Sequence, residues 1–363
     1  MAVAPGGGHI AALHFPGMPE AANPYWQPPW TSLEPENVSR EIVEESYGGV
    51  PEGPLLASIL GHSLAIDLYG APSEEETSSG AVTHGKIGVL PWRLQRSRSD
   101  ALVGECDDEF GQLRFSRALC AKDSCVLIEE SVTNLCRWDR PLGWQQHVSL
   151  GPPFYAEAFW AESNCDRGVT HPHSFGAGAS LVPDSETRWP FAPRRAGGFS
   201  DYRQALEPAQ IANDFTGFEV RAGDELGYLV AGNTDLGFAL FYVWPRQFFP
   251  WMGVWDESHA RIGKPWSKRT WVRAYEFGVS PYPLPRREML AVPRLFDLPT
   301  YLVLPAGATL WVRYLVGVFR GASEAGSLEI SGSDAALVKN GRTISRVALP
   351  EKCASSPRWE MAP

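Results

Sequence analysis

The sequence predicts an all-β protein: one large antiparallel sandwich domain over residues 1–350, followed by a short tail over 351–363. Three observations predict it. Period-two alternation recurs along the whole chain, in segments bounded by Gly, Pro, Asn or Asp. Helical periodicity is scarce. No repeat of fixed period divides the 363 residues, which argues against a propeller or solenoid. No linker is strong enough to cut the chain in two. The number of strand segments exceeds what a small barrel uses and suits two large sheets packed face to face.

In chain order, "GHIAALHF", "HSLAIDLYG", "KIGVLPWRLQ" and "GQLRFSRAL" read as short strands. "SCVLIEESVTNL" puts Val126, Ile128, Glu130 and Val132 on one face, and "GFALFYVW" suits a fully buried strand. "TLWVRYLVGVF" spaces Leu310, Val312, Tyr314, Val316 and Val318 by two. The Glu74-Glu75-Glu76 run, with its Ser-rich flank, reads as a solvated loop. Residues 164–214, with "HPHSFGAGAS" and "WPFAPRRAGGFSDYRQ", read as long loops or an insertion over the sheets. The tail from Glu351 is expected to be weakly ordered.

An apolar fraction of 44% is enough for a sizeable core. The formal charge of −10, from 32 basic and 42 acidic residues, disfavours a nucleic-acid partner. No segment offers the roughly 20 apolar residues that span a bilayer. "MAVAPGGGHIAALHFPG" lacks the basic start and apolar run of a signal peptide. A cytoplasmic protein with no membrane partner is therefore expected. The six cysteines form no C-x-x-C pair, so they are expected to be reduced thiols rather than a zinc ribbon or redox motif. Most of the fourteen tryptophans suit the gap between two sheets, and a few could stack on sugar rings.

Chemistry narrows to a few side chains. His171 and His173 form an H-x-H pair beside Pro172, in a loop where a metal role is the less common reading. His259 reads as solvated, and His9 and His14 have no evident partner. His62, His84 and His147 each lie beside a glycine or at a strand end, where backbone can approach a ligand closely. Glu276, in "VRAYEFGVSPYP", is a lone carboxylate inside an apolar strand. Such a group is either paired with a buried arginine or tuned for proton transfer. Arg273, three residues away, falls on the opposite face of an ideal strand.

Three short motifs, in order, resemble the aldose 1-epimerase (galactose mutarotase-like) superfamily. "VTHGKIG" around His84 resembles its Leu-His-Gly stretch, "GWQQHVSLGPPF" around His147 its Thr-Asn-His-Ser-Tyr-Phe stretch, and "YEFGVSPYP" around Glu276 its Leu-Glu-Pro-Gln stretch. The resemblance spans roughly residues 9–319. It implies a β-supersandwich, and an enzyme that interconverts sugar anomers by acid/base catalysis without a cofactor. His147 would be the general acid, Glu276 the general base, and His84 a sugar contact. Trp251 and Trp255 in "FPWMGVWDES" would stack on the ring, with Asp256 and Glu257 accepting hydroxyl hydrogen bonds. One departure stands out: Gly61-His62 occupies the place of the superfamily's Gly-Arg, so His62 is expected to join the substrate side. Gathering His62, His84, His147 and Glu276 also makes a metal set conceivable. Two other readings stay open: a non-catalytic carbohydrate-binding protein on the same fold, and a lyase or isomerase acting on a modified sugar. Catalysis would require His147 and Glu276 on opposite sides of one sugar-sized gap.

Overall fold

A computed structural model describes residues 1–16, 18, 22–97 and 101–350, together with the backbone of 359–362. It is 46% strand and 9% helix. Two large antiparallel sheets face each other. The first runs, from edge to edge, Ala2–Val3, Ile10–Ala12, His62–Asp67, Arg140–Leu150, Trp271–Gly278, Trp251–Ser258, Ala212–Val220, Cys165–Thr170 and Glu186–Arg188, with Leu302–Leu304 also pairing along Arg140–Leu150. The second runs Arg93–Arg96, Leu102–Asp108, Leu113–Lys122, Cys125–Asn134, Thr309–Arg320, Phe238–Pro245, Leu226–Asn233 and Phe159–Ser163.

The core sits between them, and alternation decides what enters it. Ile128, Val132, Leu310, Val312, Tyr314, Val316 and Val318 all point inward, as their spacing of two requires. Trp144 and Trp244 fill the wide gap, the latter stacked on Phe277 at 4.3 Å. Glu130 also points inward. Its charge is met by Arg117 at 2.6 Å, both groups being almost wholly buried. Trp144, Gln146 and Tyr314 donate further hydrogen bonds to the same carboxylate. A buried charge needs such full pairing, since desolvating it alone costs several kcal/mol.

The opposite face of the first sheet is covered by segments that precede and interrupt it. The Gly53–Ser58 helix lies over it, together with Trp26, Trp30 and Trp266, whose rings pack edge to face or stacked. This covering forms a second apolar cluster, separate from the core.

Three local expectations change. Residues 74–78 form a short helix rather than a loop, because Ser73 and Glu76 close a reciprocal capping box. The 164–214 region contributes strands Cys165–Thr170 and Ala212–Val220 to the first sheet and a small hairpin, Phe191–Pro193 with Phe199–Asp201. Of the tail, residues 351–358 and 363, including Cys353, lie outside the described residues, but Trp359–Ala362 pairs with Thr309–Val312 as a further strand. Among the described residues, the cysteines form no disulfide and no helix is long and apolar enough to cross a membrane.

Candidate active site

Register builds the site. Across five neighbouring strands of the first sheet, Ser63, His147, Glu276, Gly253 and Gly217 lie directly opposite one another in a single row. Their side chains share the face that looks away from the core. Neighbouring strands lie about 4.8 Å apart, so His147 and Glu276 meet: Nε2 lies 3.1 Å from Oε1. The other carboxyl oxygen, Oε2, accepts a 2.6 Å hydrogen bond from Tyr69 Oη. Ser149 Oγ lies 3.0 Å from His147 Nδ1 and fixes the ring from behind.

Glycine at 253 is what lets Tyr69 reach the pair. A Cβ there would sit 2.3 Å from Phe215 Cζ and 3.2 Å from Tyr69 Oη. His84 arrives on a turn. Its own φ is +65° and that of Gly85 is +75°, and a side chain at 85 would strike the Ile66 carbonyl at 1.9 Å. This turn docks on the His62–Asp67 strand through Ile66 N–H donating to the His84 carbonyl at 3.0 Å. The His84 ring then lies 5.3 Å from that of His147 and 6.1 Å from Tyr69.

These groups form the floor of a cavity of about 390 Å³. Phe175, Phe215 and Trp255 form its walls, and Leu55, Leu56, Ile59 and Trp266 cover it. Burial sets the protonation states. It pushes Glu276 up to about 8, against which the Tyr69 hydrogen bond acts, and holds His147 well below the usual imidazole range, helped by nearby His84. Burial also lowers His84 to about 4, with Arg261 contributing. Near neutrality the His147–Glu276 pair therefore carries one proton and no net charge.

The structure brings together His84, His147, Glu276 and Trp255 and separates the other sequence candidates from them. His62 faces the core. It pairs with Val148, one residue out of phase with His147, so its ring meets Gln146 at 3.0 Å and Tyr242 at 3.0 Å between the sheets. The four-member metal set is thereby broken, and among the described residues no three His, Cys, Asp or Glu side chains are arranged to hold a metal. Asp256 is also out of phase: it lies on the core face, held by Arg273 at 2.7 and 3.0 Å. Trp251 and Glu257 share the face of Glu276 but are covered. Trp251 donates to the Pro299 carbonyl beside Phe296, and Glu257 accepts from the Ala260 and Arg261 amides. Nor does a gap separate His147 from Glu276; they touch.

His171 lines the cavity, with its nitrogens engaged by the Pro283 carbonyl and the His173 backbone, while His173 pairs with Glu288 at 2.8 Å. Sequence reasoning missed Tyr69, the covering helix and Arg261. The Tyr69-Gly70 pair at the end of "HSLAIDLYG" and the tryptophans of "NPYWQPPW" were the available signals.

No family model matches the sequence, and no curated protein is significantly similar to it. Solved structures are similar in shape. One, from Klebsiella pneumoniae subsp. pneumoniae MGH 78578 and provisionally described as an aldose 1-epimerase, aligns with a TM-score of 0.62 at 12% identity, over 88% of this chain and 76% of that one. The chain has the galactose mutarotase-like fold. An aldose epimerase homologue from C. elegans aligns with a TM-score of 0.53 at 13% identity, over 88% of this chain and 94% of that one. The galactose mutarotase-like likeness is one of architecture, at identities too low to carry residue roles across.

Proposed function

We propose that this protein interconverts the anomers of a cyclic hemiacetal, an aldose 1-epimerase-like isomerase with His147 and Glu276 as the proton-handling pair. The observation that carries the reading is the 3.1 Å contact between His147 Nε2 and Glu276 Oε1 on the cavity floor. Burial raises the carboxyl and lowers the imidazole, so near neutrality the pair holds a single proton, which rests on the carboxyl group.

Anomer exchange uses such a pair directly. The expected gap between acid and base is not needed for this exchange: the hydroxyl and the ring oxygen of a hemiacetal are bonded to the same carbon, so two neighbours on the cavity floor can serve both from one side. The reactive form is the less populated one, in which that proton has moved to Nε2 to give carboxylate and imidazolium with no change in net charge. Glu276 then takes the hydroxyl proton while His147 protonates the ring oxygen. The bond from C1 to the ring oxygen breaks and the C1 carbonyl forms. Rotation about C1–C2 followed by closure on the other face reverses both transfers and restores the proton to the pair. Each proton-transfer group contributes roughly 10²- to 10⁴-fold. Tyr69 holds the carboxyl in place, and His84 lies beside the ring of His147, where it could meet a neighbouring hydroxyl. Only proton transfers are required.

The test is anomer exchange across free aldoses and simple cyclic hemiacetals, followed by polarimetry and by NMR exchange, with Glu276→Gln as control. Gln keeps the shape and hydrogen-bonding capacity but cannot take a proton. Loss of kcat with ligand affinity retained is expected. Full activity in the Gln variant, or no exchange with any hemiacetal, would overturn the reading.

A further inference from the structure

We infer that the occupant of this cavity is a sparsely hydroxylated cyclic hemiacetal carrying an apolar substituent, not a fully hydroxylated aldose. The inference rests on the proposed roles of His147 and Glu276 for the reacting end of the ligand, and on the walls for the remainder.

The walls are aliphatic as well as aromatic. Leu55, Leu56 and Ile59 face the cavity alongside Phe215, Trp255 and Trp266, and all six are buried within one apolar cluster. An indole face suits the C–H side of a pyranose. A Leu and Ile wall suits no part of it that bears hydroxyls.

Several polar groups of the lining already have protein partners. Tyr69 and Glu276 satisfy each other. His171 is engaged at both nitrogens. Arg261 is held by Glu52 at 2.5 Å and by Glu257 at 3.5 Å, and lies over the Trp266 ring at 4.5 Å. Among the cavity's side chains, Thr83 Oγ1 and His84 Nδ1 are the buried polar atoms without a protein partner. An aldohexopyranose brings four hydroxyls besides the one that reacts. Each hydroxyl left without a partner lowers affinity by roughly tenfold, because its bond to water is lost and not replaced. An alkyl or aryl group, by contrast, gains from every wall it touches.

The experiment compares 6-pentyl-2-hydroxytetrahydropyran with D-galactose and D-glucose. The first has the same reacting atoms, none of the other hydroxyls, and a five-carbon tail. Affinity is measured by calorimetry on the wild-type protein and on Glu276→Gln, and anomer exchange by NMR. The pentyl lactol is expected to bind both proteins more tightly than either hexose, by about tenfold for each hexose hydroxyl left unpaired. Leu56→Gln, checked for folding by its thermal melt, is expected to shrink that preference by about tenfold. Equal or tighter binding of a hexose by the wild-type protein would overturn the inference. Preferential binding of the lactol without any accelerated exchange would uphold the inference about the walls and reject the catalytic reading instead.

Discussion

Tyr69 Oη lies 2.6 Å from Glu276 Oε2, the carboxyl oxygen that His147 does not touch. One carboxyl group is thus clamped between a phenol and an imidazole, on a sheet row where glycine makes the room. The phenol favours the charged form of the carboxyl and burial opposes it. Their balance sets the pH range in which the pair holds its proton.

Removing the phenol shifts that range. The active form carries one proton on the pair, so kcat/KM should fall on the alkaline side near pH 8, where Glu276 loses its proton, and on the acid side below the usual imidazole range. Tyr69→Phe deletes a donor to the carboxylate. The alkaline limb is expected to move upward by roughly half to one pH unit, the equivalent of a hydrogen bond of about 1 kcal/mol. A downward shift in the pH–rate profile would contradict this.

Glu276 costs the fold stability at alkaline pH. Its pKa rises from 4.5 in the unfolded chain to about 8 in the folded one, so the folded state holds a proton that the unfolded state releases. Stability is therefore lost as pH climbs from 4.5 to 8, by an amount on the order of a few kcal/mol. Glu276→Gln has no such penalty and can still accept from Tyr69. Its melting temperature relative to wild type should rise between pH 5 and pH 9. A constant difference across that range would reject the buried, neutral carboxyl.

Part of this was legible in the sequence. Alternation and turn residues were sufficient for two large sheets, because burial of one strand face leaves its mark on every second residue. Glu276 stood out as a lone carboxylate in an apolar strand, and His147 as an ionisable ring close to a strand end. What alternation does not carry is the phase of one strand against the next. His62 was placed on the right strand, beside that of His147, but one residue out of phase, and this put its ring in the core. Asp256 failed for the same reason. Trp251 and Glu257 have the correct phase and are covered by chain that lies far away in sequence or turns back locally. The Ser73 and Glu76 pair, by contrast, was a local signal of a helix that charge alone obscured.

Core electrostatics give a third expectation. Arg117→Met would leave Glu130 buried with hydrogen-bond donors but no counter-charge. Breaking such a pair costs about 3–5 kcal/mol. Pairing Arg117→Met with Glu130→Gln should recover a large part of that loss in denaturant melts. If the double variant is no more stable than the single one, the carboxylate was not the source of the penalty.

Gly253→Ala tests the clamp without touching a titrating group. The added Cβ collides with Phe215 and crowds Tyr69. Overpacking of this kind costs about 1–3 kcal/mol. The alkaline limb of the pH–rate profile should move upward, as in Tyr69→Phe, because the phenol is displaced. A melt lowered with an unchanged pH profile would show that Tyr69 adapts.

The cover over the cavity has a different origin from its floor. Leu55, Leu56 and Ile59 belong to a short helix and its exit, before the first long strand, whereas His147 and Glu276 belong to the sheet ladder itself. Part of what enters is thus written in a different stretch of chain from what reacts. Substitution of the short covering helix and its exit would alter that part while leaving His147 and Glu276 on their strands. The fold would then offer many ligand preferences around one reacting pair, and a laboratory library confined to residues 50–60 would explore that space.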